Sequence, residues 1–129
     1  MLPSTKIYIY LCNEIYYAMN IENTKAQMRK GVLEYCILSV LAQGDAYASG
    51  IIGKLKEVQL IVVEGTLYPL LTRIKNDGLL TYRWEESQQG PPRKYYKLTE
   101  EGIKSLSDLN DAWQELVENV NRLKNKYNK

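Results

Sequence analysis

The stretch that decides the fold covers residues 64–102 and reads EGTLYPLLTRIKNDGLLTYRWEESQQGPPRKYYKLTEEG. Its first part has apolar residues at helical spacing and ends at Gly78, a residue type that often closes helices in a left-handed conformation. Residues 79–86 and 93–98 then alternate with a period of two, which predicts a hairpin with one buried face. Thr99 comes next as a helix N-cap with two acidic residues after it. The predicted order is therefore helix, two-stranded hairpin and helix.

The apolar side chains of this stretch define a predicted core. On the helix the buried stripe is Leu67, Leu70, Leu71 and Ile74, and on the hairpin it is Leu80, Tyr82 and Trp84 opposite Tyr96 and Leu98. Pro69 interrupts the helical pattern, because a proline beyond the first turn removes a hydrogen bond and crowds an earlier carbonyl. We therefore expect this helix to start late or to have a tight first turn. Residues 87–92 should not continue the strand pairing, since Pro91 and Pro92 have no N–H to donate.

A helix followed by a basic hairpin is the order in which a winged helix-turn-helix presents its recognition helix and its β-wing. The stretch also resembles the signature of the PadR family of bacterial transcriptional regulators. The matching residues are Glu64-Gly65-Thr66-Leu67-Tyr68-Pro69, Arg73, Gly78-Leu79-Leu80, Arg93-Lys94-Tyr95-Tyr96 and Leu98-Thr99. The resemblance runs from about residue 28 to the end of the chain. It is to the short-tailed branch, in which the C-terminal part is one dimerisation helix, and it implies a mainly α fold with a small β-wing.

The chain is expected to have three parts. Residues 19–98 form the winged helix-turn-helix DNA-binding domain, and residues 99–129 form the C-terminal dimerisation helix. Residues 1–18 do not match the pattern of residues 19–129, and two interpretations stay open for them. Either the start codon is assigned too early and Met19 is the first residue, or a real extension packs on the domain or stays loose.

Two helices are predicted before the quoted stretch. The first covers about residues 25–41, and its apolar side chains recur at helical spacing: Met28, Val32, Leu33, Cys36, Ile37, Val40 and Leu41. Gly44 ends this helix, and Asp45 is a suitable N-cap for the second, over about residues 46–57. Residues 59–63 are apolar and β-branched, which fits a connector or a short strand.

The last helix has the most regular apolar pattern of the chain. Apolar residues alternate spacings of three and four for three heptads, at Leu106, Leu109, Trp113, Leu116, Val120, Leu123 and Tyr127. Such a one-sided stripe is typical of a helix that packs against a partner helix. The first six of these residues are therefore our predicted dimer interface. The alternative is an amphipathic helix packed wholly on its own domain.

The predicted DNA-binding residues lie on the recognition helix and the wing. Thr66, Thr72 and Arg73 have suitable chemistry for groove contacts, and an arginine can read guanine through two hydrogen bonds. By the family resemblance, Tyr68 would give a hydroxyl to a phosphate, and the basic wing residues Arg93 and Lys94 would neutralise phosphates or enter a narrow minor groove. Lys30, at the start of the first helix, is a further candidate. The alternative for Tyr68 is an aromatic packed between helices, and for Arg73 a helix-surface charge.

Composition argues against several other classes of protein. The 129 residues carry a net charge of only +2 and include no histidine, which removes the usual general base and the commonest metal ligand. Cys12 and Cys36 cannot supply a four-ligand zinc site, so we expect no enzyme activity, metal or cofactor. Two thiols without a secretion signal fit the reducing cytoplasm, with Cys36 as a structural thiol. No apolar run approaches the ~18–20 residues of a membrane span.

The resemblance implies a dimeric repressor that binds a palindromic operator in double-stranded DNA and is released by a small molecule. Trp113, in the middle of the apolar stripe, is the candidate for a pocket that binds a flat hydrophobic or phenolic effector between two subunits. Simple interface packing is the alternative for this residue. For the whole chain the alternative is a winged-helix module that binds another protein and no DNA.

Overall fold

The computed structural model describes residues 2–127, which form four helices and a small sheet. The elements are α1 (Leu2–Ala42), β1 (Ala46–Tyr47), α2 (Ala48–Glu57), α3 (Glu64–Asn76), β2 (Leu80–Ser87), β3 (Gly90–Leu98) and α4 (Glu100–Tyr127). The chain divides into two units, Met1–Leu33 and Glu34–Lys129. The fold is therefore mainly α with a small β-wing, as the sequence predicted.

The first unit is the N-terminal part of α1, which begins much earlier than the expected residue 25. Residues 4–30 contain no glycine or proline, so nothing in them interrupts a helix. The pattern missed this segment because its apolar residues do not fall on one face. The side chains of residues 4–31 are exposed, including Met28, which we expected in the core, whereas Leu33 is buried. Neither α1 nor any other helix within residues 2–127 is long and apolar enough to cross a membrane.

The second unit has a core in which the end of α1, α2 and α3 contribute one apolar face each. The buried residues are Ile37, Leu38, Leu41, Ala48, Ile51, Leu55, Leu67, Leu71, Ile74, Leu80, Tyr96 and Leu98. The stripe predicted on α3 is confirmed, except that Leu70 is only half-buried. Leu38 was not predicted, and Cys36 is half-buried instead of lying inside the core. Burial raises the pKa of the Cys36 thiol, which keeps it protonated and unreactive near neutral pH.

The sheet is antiparallel, with the strand order β1-β3-β2. The cross-strand pairs Leu80–Leu98 and Tyr82–Tyr96 confirm the base of the predicted buried face of the hairpin. Trp84, the third residue predicted on that face, is 62% exposed, because it lies farther out on the wing, opposite Lys94 and beyond the core. The strand β1 was not predicted, since its two residues were assigned to the following helix. Helix α2 instead begins after Tyr47, which caps it without a side-chain hydrogen bond. The expected cap, Asp45, forms an ion pair with Arg83 at 3.7 Å.

The two prolines of the wing lie inside β3, although the sequence predicted that this segment could not pair. The turn is formed by Gln88 and Gln89, and Ser87 pairs with Gly90. The next pair is Glu85 with Arg93, so one residue of β2 lies opposite the two prolines of β3. This is a β-bulge, one of the few places where a strand accepts residues without an N–H.

The ends of the helices are set by local hydrogen bonds. Helix α3 begins at Glu64, and the Thr66 N–H donates to the carbonyl of Val63 at 3.0 Å, a bond three residues back that tightens the first turn. A tight first turn, one of the two expected ways of accommodating Pro69, is therefore present. The helix closes at Gly78 with φ of 84°. Helix α2 closes in the same way at Gln59, whose φ of 66° is costly for a residue with a Cβ.

Helix α4 is fixed to the base of the wing by its first turn. The Thr99 hydroxyl donates to the Gly78 carbonyl at 2.6 Å and accepts from the Gly102 N–H at 3.0 Å, which confirms Thr99 as the N-cap. The Thr99 N–H donates to the Leu79 carbonyl at 3.1 Å. A Cβ added to Gly102 would collide with the same Leu79 carbonyl and lie 3.2 Å from Cδ2 of Leu98. Only glycine allows the helix to approach the strand this closely.

Candidate nucleic-acid interface

The exposed surface of α3 has two flanks around an outer face. Thr72 lies near the middle of that face, and its hydroxyl donates to the carbonyl of Tyr68 at 3.1 Å. Thr66 and Arg73 are both exposed, and the helical spacing puts them together on one flank. Arg73 donates to a carboxylate oxygen of Glu34 at 2.9 Å, which holds the guanidinium toward the end of α1. The charge of Arg73 is therefore partly neutralised, although its remaining N–H groups can still donate.

Tyr68 lies on the other flank, which faces the wing. It is 47% exposed, so it is not simply packed between helices. Its ring lines a groove of about 460 Å³ between the start of α2, the start of α3 and the wing. The other side chains of this groove include Ser49, Trp84 and the wing cations Arg93 and Lys94. The structure thus brings three predicted site residues, Tyr68, Arg93 and Lys94, to one surface.

The two adjacent cations of the wing point to opposite faces of the sheet. Arg93 lies over the ring of Tyr47, with 4.1 Å between its guanidinium carbon and the ring centroid. Lys94 lies over Tyr82 and Trp84 on the other face, its Nζ 4.5 Å and 5.5 Å from the two centroids. Among the residues that the structure describes, neither cation forms an ion pair. Both charges are therefore held in place by aromatic rings and remain free to attract an anion.

The other arginine of the wing, Arg83, forms ion pairs and is not free to attract an anion. It donates to Glu85 at 2.7 Å and lies 3.7 Å from Asp45, while its guanidinium carbon is 4.5 Å from the ring centroid of Tyr95. The hydrogen bond to Glu85 and the charges of both acids raise the pKa of Arg83. The ring of Tyr95 in turn contacts that of Tyr47, with centroids 4.8 Å apart. Arg83 therefore links Asp45, Glu85 and Tyr95 on the face of the wing that also carries Arg93.

Two residues of α3 that were not predicted as site residues, Lys75 and Asn76, lie at the inner face of the wing. The Nζ of Lys75 lies 5.8 Å from the Tyr82 centroid, on the ring that also carries Lys94. A smaller groove of about 130 Å³ is lined by Thr72, Lys75, Asn76, Tyr82 and Lys94, together with core residues. The spacing of Thr72, Lys75 and Asn76 on one side of a helix was visible in the sequence, but their distance from Lys94 was not. Beneath them, burial raises the pKa of Tyr96, which keeps this ring neutral.

The stripe on α4 changes from half-buried to exposed along the helix. Leu106 and Leu109 are half-buried, whereas Trp113, Leu116, Val120 and Leu123 are 38–64% exposed. The ring of Trp113 lies 6.4 Å from that of Tyr35, and the Tyr35 hydroxyl donates to Asn110. Within one chain, then, the stripe packs on the domain as far as Trp113, and Leu116, Val120 and Leu123 stay exposed.

Lys30 belongs to the first unit, where its side chain is exposed. Its expected part in DNA binding stays a prediction. The same holds for the other predicted site residues, whose positions and partners are now defined.

Three helices with a β-hairpin wing after the third define the class of the protein, which is a winged helix-turn-helix. Residues 37–108 match the transcriptional regulator PadR-like family. A PadR-like transcription factor from Bacteroides fragilis is 65% identical, with 78% of this chain and 98% of that chain covered and a TM-score of 0.68. A PadR-like regulator from Bacillus cereus is 38% identical, with 75% and 95% covered and a TM-score of 0.67.

A PadR family regulator from Eggerthella lenta, 30% identical, superimposes with a TM-score of 0.76 over 84% of this chain and 96% of that chain. The chain belongs to the PadR-like family of transcriptional regulators. This confirms the resemblance on which the fold prediction was based.

Proposed function

We propose that the protein is a homodimeric transcriptional repressor of the cytoplasm that binds a palindromic operator in double-stranded DNA. The observation that carries this proposal is the pair of wing cations, Arg93 and Lys94, which line one groove with Tyr68 of α3. Both are held by aromatic rings, and neither forms an ion pair in the described range. Cations fixed beside a recognition helix suit phosphate contacts, and the threonines of α3 suit contacts to base edges.

Within α3 the residues have different expected roles. Thr72 and Tyr68 face outward and toward the wing, so we assign them to the DNA surface. Thr66 and Arg73 lie on the opposite flank, and Arg73 must exchange its contact with Glu34 for a base or phosphate. A surface ion pair contributes only about 0–1 kcal/mol, so this exchange is cheap.

DNA binding is tested by fluorescence anisotropy with a duplex from the protein's own promoter region, at several salt concentrations. Specific complexes of this kind have dissociation constants of about 10⁻⁸–10⁻¹¹ M. Replacing Arg93 and Lys94 by alanine should weaken binding to all sequences and flatten the salt dependence. Lys104→Ala, on α4, is the control for loss of a positive charge. Full binding by the double variant would remove the wing from the mechanism, and absence of binding by the native protein would favour a protein partner.

The dimer is proposed from the uncovered part of the α4 stripe. Leu116 and Leu123 are 54% and 64% exposed in the single chain, and their heptad spacing suits a second copy of the same helix. Leu116→Lys would place a charge in the desolvated interface and should give a monomer in size-exclusion chromatography with light scattering. Glu115→Lys, one residue away and off the stripe, is the matched control. At tens of micromolar, an association free energy of only ~7 kcal/mol is enough to keep the protein dimeric. A native protein that is monomeric at this concentration would overturn the proposal.

Release by a small effector is proposed at Trp113, which would meet its own copy at the centre of the interface. Two indole faces can enclose a planar aromatic molecule, because offset stacking adds ~0.5–1.5 kcal/mol to burial. Such a ligand changes DNA binding only if it prefers one arrangement of the two wings. Tryptophan emission is titrated with flat hydrophobic and phenolic compounds in the native protein and in Trp113→Ala, which leaves Trp84 as the background. If no compound quenches Trp113 or releases DNA, Trp113 is packing only.

A further inference from the structure

The small groove between α3 and the inner face of the wing combines two lysines on a single ring. The Nζ atoms of Lys75 and Lys94 lie 5.8 Å and 4.5 Å from the centroid of Tyr82. Both distances end at the same ring, so the two ammonium groups lie within about one Debye length of each other, ~10 Å at 0.1 M salt. Each therefore feels the charge of the other.

No carboxylate in the described part of the chain lies within ion-pair distance of these two charges. Neither lysine forms an ion pair within residues 2–127. The other polar residues that line the groove are Thr72, Asn76, Tyr82 and Tyr96. The Asn76 amide can donate hydrogen bonds, whereas the Thr72 hydroxyl already donates to the Tyr68 carbonyl. Two cations and the amide donor of Asn76 around one space suit an anion with several acceptor oxygens.

The size of the groove limits what it can hold. A volume of about 130 Å³ gives room for only a few water molecules, each of which takes ≈ 30 Å³ in the liquid. One tetrahedral phosphate fits such a space. The groove also opens between the recognition helix and the wing, the two elements that a winged helix-turn-helix applies to DNA.

We propose that this groove is the seat of one backbone phosphate of the operator, held jointly by Lys75 and Lys94 and positioned by the ring of Tyr82. The inference rests on the proposed DNA binding. It adds Lys75 of α3 to the DNA-binding residues and assigns one phosphate to two lysines. Because Lys75 belongs to the recognition helix and Lys94 to the wing, a shared phosphate would fix the angle at which both meet the duplex.

The shared phosphate has a measurable signature in the salt dependence of DNA binding. The slope of log K against log [salt] is about −0.9 for each phosphate neutralised on duplex DNA. If both lysines hold one phosphate, Lys75→Gln combined with Lys94→Gln should reduce the slope by only ~0.9, and the two single changes should not add. Two separate phosphates would give a reduction of ~1.8 and additive effects.

The matched control combines Lys75→Gln with Lys97→Gln, since Lys97 is on the same strand as Lys94 but does not line the groove. These two changes should be additive. Additivity of the Lys75–Lys94 pair, or an unchanged slope in their double variant while the native protein binds DNA, would overturn the phosphate seat alone. If the native protein does not bind duplex DNA, the proposed function fails and the seat with it.

Tyr82 is a positioning residue, and its role is separated from folding by two substitutions. Tyr82→Phe keeps the ring that both ammonium groups contact and should leave the salt slope and the coupling of Lys75 to Lys94 unchanged. Tyr82→Leu removes the ring and should abolish that coupling in a protein whose circular dichroism remains native. Retained coupling in folded Tyr82→Leu would show that the ring does not position the lysines.

A last arm distinguishes a DNA phosphate from free phosphate. DNA binding is measured in chloride and in inorganic phosphate at equal ionic strength. If the groove holds a backbone phosphate, inorganic phosphate competes with DNA for it, and the resulting loss of affinity should disappear in the Lys75–Lys94 double variant. Inorganic phosphate that binds through Lys75 and Lys94 without weakening DNA binding would assign the groove to a free anion and overturn the proposal.

Discussion

Gly102→Ala tests the close approach between α4 and the wing. In most helices this change stabilises, because alanine is about 1 kcal/mol better than glycine in a helix interior. Here the added Cβ collides with the Leu79 carbonyl and lies 3.2 Å from Cδ2 of Leu98. The carbonyl is backbone and already accepts from the Thr99 N–H, so it cannot move away without losing that bond.

The magnitude is the balance of opposing contributions. Overpacking costs about 1–3 kcal/mol, and loss of the Thr99 hydrogen bond adds about 1 kcal/mol. The gain in helix propensity offsets about 1 kcal/mol of this. We expect the free energy of unfolding to fall by about 1–3 kcal/mol, with a matching shift of the urea midpoint.

Gly53→Ala is the control, because a Cβ at Gly53, in the middle of α2, meets no atom within 4 Å. That change should raise stability by about 0.4–1 kcal/mol. Both variants are unfolded in urea at one protein concentration, since the stability of a dimer depends on concentration. A Gly102→Ala protein as stable as Gly53→Ala would refute the close approach.

Three further predictions concern stability. Gln59→Gly should raise the free energy of unfolding by about 1 kcal/mol in urea titration, because glycine adopts the φ of 66° without strain; no change would show that Gln59 is unstrained there. Thr99→Ala should lower it by about 0.5–2 kcal/mol, since the cap of α4 is lost, and equal stability would contradict the cap. Folding raises the pKa of Tyr96, so the neutral ring contributes fully to the free energy of unfolding below the ordinary pKa of 10.0. This contribution is lost as the pH rises through the pKa of the folded state. Urea midpoints above about pH 10 should therefore fall less in Tyr96→Phe than in the native protein, and parallel curves would exclude this linkage.

The parts of the fold that were predicted correctly are those with strong local periodicity. The stripe on α3, the hairpin pairs Leu80–Leu98 and Tyr82–Tyr96 and the Thr99 cap each depend on short-range patterns that the sequence shows directly. The same alternation placed Trp84 on the buried face, but it could not show that the core ends before that residue. The start of α1 was missed because its apolar residues are spread around the helix. The two-residue strand β1 was missed because it exists only through its pairing with Tyr95 and Tyr96.

The surface was predicted less completely, for a physical reason. Residue types suitable for DNA were visible, but which of them are free depends on partners distant in sequence. Arg73 is paired with Glu34, 39 positions away, and Arg83 with Asp45, whereas Lys75 meets the ring that holds Lys94. Sequence periodicity cannot predict these contacts, because they form only when α1, α3 and the wing are packed together.

The prolines in the bulge of β3 also bear on solubility. Strand β1 covers β3 only at Tyr95 and Tyr96, so the outer edge of the wing from Gly90 to Lys94 has no neighbouring strand in the described range. An open edge of this kind can recruit a strand from another molecule and start aggregation. Pro91 and Pro92 have no N–H to offer such a strand, and the bulge twists the edge out of register. The wing can therefore project from the domain as an exposed hairpin without becoming a site of intermolecular β-pairing.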